Sequence, residues 1–378
     1  MQIQCVDNEA EFLGLREEWN ALWRRSANPS YFLSHDWIRC CWQELQATNS
    51  MRIFVVRNRA VPLIIAPWMR SRGFQTKLPV NLLTFIAHPE AQLADIVCTA
   101  EPESQEAFLA LIQHLSREIS AEWDLLAFNK IPGGSLMVQW LERTQYFPEI
   151  RDQVRSDDQV LVIPLGGSWE EYLSARSARF RKTLRNIANR IQRMGRVEVK
   201  CYGGNDAPSD AIHKLFSVAD ASWKLASGVA MTSSKGRKSF FEELFRGAVT
   251  AEGVRIWILE VNGSAIASET QVVDGQTVYA LRSDYDEQFG DSSPGVYLQM
   301  EILKNLFGGS HQEYNFGIGL NPYKARWTDQ HVQLMNIRLY NKTFYGRLLR
   351  FLEKCKFLSK LRFPGHRVLN GVFCGGPL

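Results

Sequence analysis

The chain has 378 residues, of which 45% are hydrophobic and 22% charged. That is enough for two packed cores, and the composition is too ordinary for a disordered or fibrous protein. A net charge of only +4 does not by itself require a nucleic-acid partner. No apolar run reaches the ~20 residues that span a bilayer, and the opening MQIQCVDNEAEF lacks the blocks of a signal peptide. The seven cysteines stand at no metal-ligand spacing, which predicts no metal and a reducing, cytoplasmic setting.

Residues 1–165 read as a first α/β unit. EAEFLGLREEWNALWRR is an amphipathic helix with Phe12, Leu15, Trp19, Leu22 and Trp23 on one face. FLSHDWIRCCWQEL is a second, with Ser34 as its N-cap and Trp37, Cys41 and Leu45 turned inward. RIFVVR, VPLIIAPWMR, LLTFIA and DIVCT are strands. ESQEAFLALIQHLSREI is a helix with a stripe of Phe108, Leu111, Ile112 and Leu115. The strand WDLLAFNKIP, the helix SLMVQWLERTQ and the strand QVLVIPL complete the unit. His35, His88 and His114 lie far apart and form no constellation, so catalysis is not expected here.

Gly166-Gly167 breaks the chain, and Ser168 with Glu171 predicts a capping box at the next helix. That helix runs on with Phe180, Leu184, Ile187, Ile191 and Met194 inward, and Gly195 stops it. Nine basic residues against one acidic residue lie between Arg176 and Lys200. They make either a solvated face or a platform for a polyanion. RVEVKCYGG is a strand, and SDAIHKLFSVADASWKLA and KSFFEELFRGAVTAEG are helices.

Three strands follow, with turns at Asn262-Gly263 and Asp274-Gly275. After Asp291-Ser292-Ser293-Pro294-Gly295 comes the helix VYLQMEILKNLF, then the strand EYNFGIG, the segment NPYKARW and the strand VQLMNIRLYNK. A strand feeding a Ser/Gly loop that opens a helix suits an anion, because free N–H groups and the positive helix end meet there. A ligand's phosphates are therefore expected at Ser292, Ser293, Gly295 and Val296. The tail KTFYGRLLRFLEKCKFLSKLRF is a basic amphipathic helix, expected either to dock on the protein or to lie on an anionic membrane through 342–363.

Four motifs carry a resemblance: Ala221-Ser222-Trp223-Lys224, Ser293-Pro294-Gly295, Tyr314-Asn315-Phe316-Gly317-x-Gly319 and Tyr323-Lys324-x-x-Trp327. In this order they resemble the CelD-like acetyltransferases associated with cellulose biosynthesis. That is a GNAT-fold family related to Fem-type peptidyltransferases and commonly encoded with exopolysaccharide genes. The element order β-α-α-β-β-β-α-β-α-β from Arg196 onward is similar to the GNAT fold.

The resemblance implies an α/β (α+β) protein of tandem GNAT-like domains, each a mixed sheet flanked by helices. The expected division is a degenerate domain over 1–165, an acyltransferase domain over 166–341 and the basic tail over 342–378. It implies N-acyl transfer from acyl-CoA (acetyl-CoA) or another acyl carrier, without metal, to an amine such as an amino sugar or cell-envelope precursor. Tyr323 is then expected to protonate the leaving thiolate, with Asp284 or Glu269 as the base. Trp223, Lys224, Asn315, Lys324 and Trp327 are expected around the substrate. One departure stands out: the usual GNAT pyrophosphate signature, a Gln or Arg followed by spaced glycines, is absent. An aminoacyl-tRNA donor, as in Fem-type proteins, therefore stays open, and only that reading brings in a nucleic acid. A non-catalytic subunit of polysaccharide machinery is a further alternative, and the basic tail allows a peripheral place at the inner face of the membrane.

Overall fold

The structure is a computed structural model that describes residues 1–143, 154–203, 209–246, 253–319 and 321–362; the described side chains exclude 154–157 and 356–362. The first half runs β1 (Gln2–Val6), α1 (Glu9–Gly14), α2 (Arg16–Arg24), α3 (His35–Leu45), β2 (Ser50–Asn58), β3 (Val61–Gln75), β4 (Leu78–Phe85) and β5 (Val97–Cys98). It continues with α4 (Pro102–Arg117), β6 (Leu125–Pro132), α5 (Leu136–Arg143) and β7 (Val154–Pro164). The second half runs α6 (Trp169–Ser174), α7 (Ala178–Gln192), β8 (Val197–Gly203), α8 (Ser209–Asp220), α9 (Trp223–Ala226), α10 (Lys235–Arg246), β9 (Val254–Val261), β10 (Ser264–Asp274) and β11 (Thr277–Tyr285). Then come α11 (Pro294–Phe307), β12 (Glu313–Ile318), β13 (His331–Tyr340) and α12 (Phe344–Arg362).

These strands make one mixed sheet in the order β1-β2-β3-β4-β6-β13-β7-β12-β11-β10-β9-β8, with β5 beside β3. The middle of that order exchanges strands between the halves. β13 lies antiparallel between β6 and β7, and β7 lies antiparallel to β12. Each half has one parallel pair, β4 with β6 and β11 with β12.

Three large cores follow from the amphipathic stripes. Phe108, Leu111 and Leu115 of α4 pack with Trp68 and Phe128 of the first half of the sheet. Leu184, Ile187 and Ile191 of α7 pack with Leu298 and Leu303 of α11 over the second half. A third core joins the halves: Trp19, Trp37 and Cys41 meet Leu215, Phe240 and Val272. Trp37 stands edge-on to Phe240 with ring centroids 5.6 Å apart.

The expected caps are present. Ser34 Oγ accepts from Trp37 N, and Ser168 and Glu171 form the reciprocal capping box. Asn262 clasps the end of α7, its Oδ1 accepting from Arg196 N and its Nδ2 donating to Met194 O. Gly195 has φ +140° there, and a Cβ would fall onto the Asn262 amide, so this position tolerates only glycine.

Several expectations are corrected. The first helix is interrupted at Leu15, and the helix expected to run from Ser168 to Gly195 breaks at 175–177, where the Ser177 side chain caps α7. The expected helix over 209–226 breaks at Ser222, whose side chain caps α9. β3 and β4 extend to a tight hairpin at Thr76 and Lys77, both at positive φ. Neither residue carries the Asn-Gly signal that marks such turns. The end of the expected helix over 238–253 and the tail side chains beyond Cys355 lie outside the described residues.

Candidate active site

Cross-strand register decides which side chains share a face at the site, and it shifts once between β10 and β11, at Thr270 and Gln271. β11 and β12 pair in parallel only at Thr277 with Glu313, Val278 with Tyr314 and Tyr279 with Asn315. Beyond those pairs β11 runs on along β10, while β12 turns at Gly317 (φ +76°) toward β7. A wedge therefore opens between 280–285 and 316–318. The segment from Tyr323 to Trp327 lies beyond β12, and the turn into α11 lies beyond β11.

Glu269, on β10, is buried on the face covered by α11. Its Oε1 accepts from Tyr314 Oη at 2.7 Å and Gln271 Nε2 at 2.6 Å, and its Oε2 accepts from Ser283 Oγ at 2.8 Å. Burial pushes its carboxyl above the ordinary glutamate value despite these donors. Ser283 is exposed, so one hydroxyl connects the wedge with the buried carboxylate. The Tyr314 proton goes to Glu269, and the Gln299 side chain stands 3.2 Å from the same hydroxyl. Turned over, that amide would donate its otherwise unpartnered Nε2 to the Tyr314 oxygen.

Tyr323 packs into the core beside this group. Burial, then the Glu269 charge, holds its phenol well above the ordinary tyrosine value, and the Trp327 indole lowers it slightly. Glu269 and Tyr323 are thus brought together. One is a carboxyl with raised affinity for a proton, the other a phenol that keeps its proton at neutral pH.

Asp284 lies on the opposite face. It pairs with Arg282 Nε at 2.7 Å and Lys224 Nζ at 2.9 Å, and Arg282 reaches Glu90 of the first half at 2.9 Å. Burial opposes its charge, but Lys224 and Arg282 hold the carboxyl below the ordinary aspartate value. This geometry argues against Asp284 as a base and makes it the anion of a buried clamp. Asp284→Ala should leave Lys224 without a carboxylate and Arg282 with Glu90 alone, and cost ~3–5 kcal/mol in urea unfolding. The wild-type contribution should be present above the ordinary aspartate value of 3.8 and fade as pH falls below it. Turnover per folded molecule should stay within a few-fold; a hundredfold loss would return Asp284 to the chemistry.

Lys224 also donates to Ser283 O at 2.6 Å, so it braces β11 and does not stand free for a substrate. Trp223 is half-buried beside it, 6.0 Å from ring centroid to the Lys224 Nζ. Lys324 Nζ donates to Gly317 O and Ile318 O at 3.1 and 3.0 Å, bracing the end of β12. Asn315 Oδ1 accepts from Gly317 N at 2.9 Å. Trp327 is fully buried, edge-on to Phe180, and its carbonyl accepts from Tyr172 Oη and Arg176 Nη1.

At the turn into α11, Ser293 adopts a left-handed conformation, its N–H bonded to Gly290 O, while Val296 N bonds to Ser293 O. Pro294 has no N–H and Ser292 Oγ is turned to Phe289 O. Gly295 is thus the one amide of 293–296 outside these turn bonds. A guanidinium supplements it: Arg190 of α7 reaches the Asp291 carbonyl. Arg179, Lys182, Arg185, Arg190 and Arg193 are all exposed along α7.

Sequence reasoning missed Ser283, Tyr314 and Gln299, and with them the loop 86–96. That loop brings Glu90 to Arg282 and sets Gln92 so close to Gly317 that a Cβ there would lie 2.8 Å from Gln92 Oε1. Among the described residues no group of three or more His, Cys, Asp or Glu could hold a metal, and no helix is long and apolar enough to cross a membrane.

Residues 178–325 match the family model described as an acetyltransferase (GNAT) domain. The structure of FemX is similar at a TM-score of 0.55 and 10% identity, covering 93% of this chain and 100% of that one. L-PGS from Bacillus licheniformis is similar at 0.52 and 11%, covering 91% and 96%. A conserved protein of unknown function from Bacteroides thetaiotaomicron is similar at 0.52 and 12%, covering 90% and 100%. No curated protein matches the chain. The likenesses to solved structures show the fold alone, a large mixed sheet flanked by helices, and residues 178–325 within it are similar to a GNAT domain.

Proposed function

We propose that the protein is an N-acyltransferase, taking an acyl group from acyl-CoA or another acyl carrier to an amine acceptor such as an amino sugar or cell-envelope precursor. The observation that carries this reading is the hydrogen-bonded group of Glu269, Ser283 and Tyr314 where β11 and β12 stop pairing, with Tyr323 packed beside it. The acceptor's nitrogen attacks the thioester carbonyl. Its proton passes to Ser283 Oγ as that hydroxyl hands its own proton to Glu269. The C–S bond then breaks and the thiolate takes the Tyr323 proton. Arg190 and the Gly295 amide are suited to the carrier's phosphates.

A second reading, an aminoacyl-tRNA donor, is favoured by one observation. The exposed basic face of α7 ends at the donor turn through Arg190. The two readings separate in a binding experiment with acetyl-CoA and bulk tRNA across a salt series, using wild type and the triple variant Lys182→Glu, Arg185→Glu, Arg190→Glu. Acetyl-CoA should bind the wild type and bind the variant at least about tenfold more weakly, since about 1.4 kcal/mol is one decade. Steeply salt-dependent tRNA binding lost in the variant would instead establish the tRNA reading. A wild type that binds neither carrier would overturn both.

A further inference from the structure

Phe344, Leu348 and Phe351 of α12 are exposed, with 86%, 36% and 63% of their surfaces open. At spacings of four and three they form one stripe along the helix. The neighbouring face of the same helix docks on the sheet: Leu349 is fully buried in a cluster with Val80, Leu125 and Tyr340, and Tyr345 packs against it. The apolar stripe is therefore not a core face awaiting closure. The core is satisfied through other residues, and the phenylalanines flank it.

A second element ends in the same region. Tyr345 Oη donates to Pro79 O at 2.6 Å, and Pro79 pairs with Phe74 near the tip of the β3–β4 hairpin. Phe74 is 79% exposed. The cations lie with these aromatics: Arg72 and Lys77 are exposed on the hairpin, Arg347 and Lys354 on the helix. Residues 70–80 contain no acid. Glu353, the one acid among the described helix side chains, is bound to Arg338 and Tyr340. Exposed phenylalanines ringed by cations that have no acid partner among the described residues complement a layer with anionic headgroups above acyl chains.

We propose that the hairpin tip and α12 together form a seat for an anionic lipid bilayer, with Phe74, Phe344 and Phe351 entering the interface and Lys77, Arg347 and Lys354 meeting phosphates. Charge complementarity selects this occupant over a second copy of the chain, whose same surface would bring cation to cation.

Vesicle flotation of the full chain tests it, with phosphatidylcholine alone and with one third phosphatidylglycerol. The protein should float with the anionic vesicles at least about tenfold more strongly than with the zwitterionic ones. Phe344→Ser with Phe351→Ser should reduce that at least about tenfold while the circular dichroism spectrum and Tm hold, because both rings are in water. Phe74→Ser should reduce it less, and Arg347→Glu with Lys354→Glu should erase the preference for anionic lipid. The proposal is overturned by any of three results: no flotation, a phenylalanine variant that floats like wild type, or a lipid-free dimer in sedimentation velocity that the phenylalanine variant dissolves.

Discussion

Replacing Glu269 by Gln should lower turnover by ~10²–10⁴-fold, the usual worth of a positioned base, while donor affinity changes by no more than a few-fold. The two residues have the same shape, and the Ser283 and Tyr314 hydroxyls can rotate to meet an amide. The pH dependence supplies the signature. Burial raises Glu269 above its ordinary value of 4.5, so wild-type kcat/KM should climb by one proton across a pKa above that value. The variant should lack this limb.

The stability sign runs the other way. A carboxyl whose folded pKa exceeds its unfolded one contributes stability below its unfolded pKa and loses it as pH rises through the folded one. Glu269→Gln should therefore leave Tm at pH 7 unchanged or higher, with a smaller benefit below the ordinary value. Ser283→Ala should reproduce much of the kinetic loss. If Glu269→Gln retains near-normal turnover, the buried carboxylate has no part in the reaction.

Tyr323→Phe should cost at least about a hundredfold in kcat. The substitution removes one hydroxyl and keeps a ring packed beside the Trp327 core, so stability should hardly move. Burial and Glu269 keep the phenol protonated at neutral pH. Its removal should therefore lower the rate evenly across the neutral range and add no new limb. A leaving group with a lower pKa needs less help from an acid, and an activated thioester should rescue the variant more than the wild type. Equal rates for wild type and variant would reduce Tyr323 to a wall.

Much of this molecule is legible in the chain because helix amphipathicity and capping are local. The stripes of α4 and α7, the Ser34 and Ser168 caps and the Gly195 stop follow from spacing alone. The site is less legible, for a reason that can be located. From the Asp274-Gly275 turn, β10 and β11 pair regularly back to Gln271 with Ala280, and there a bulge inserts Leu281, so that Thr270 meets Arg282. Without that extra residue Glu269 would oppose Arg282, and Asp284 would share its face. With it, Glu269 opposes Ser283 and Asp284 turns to the other side. Two carboxylates that look interchangeable as bases in the sequence are separated into a proton acceptor and a clamp by one residue of register. Long-range pairing was equally hidden. Nothing near Glu90 or Gln92 announces that their loop braces Arg282 and Gly317.

The exchanged strands bear on how the chain reaches this state during synthesis. β6 is made well before β13, and although it pairs with β4 on one side, its other neighbour in the sheet is β13, made only after nearly all of the second half. Until then the nascent first half carries an unpaired edge, the kind of surface that invites pairing with a neighbouring chain. Closure of the sheet is a late, non-local event, and pairings of high sequence separation form slowly. Nascent copies crowded on one message would expose that edge to one another until β13 arrives.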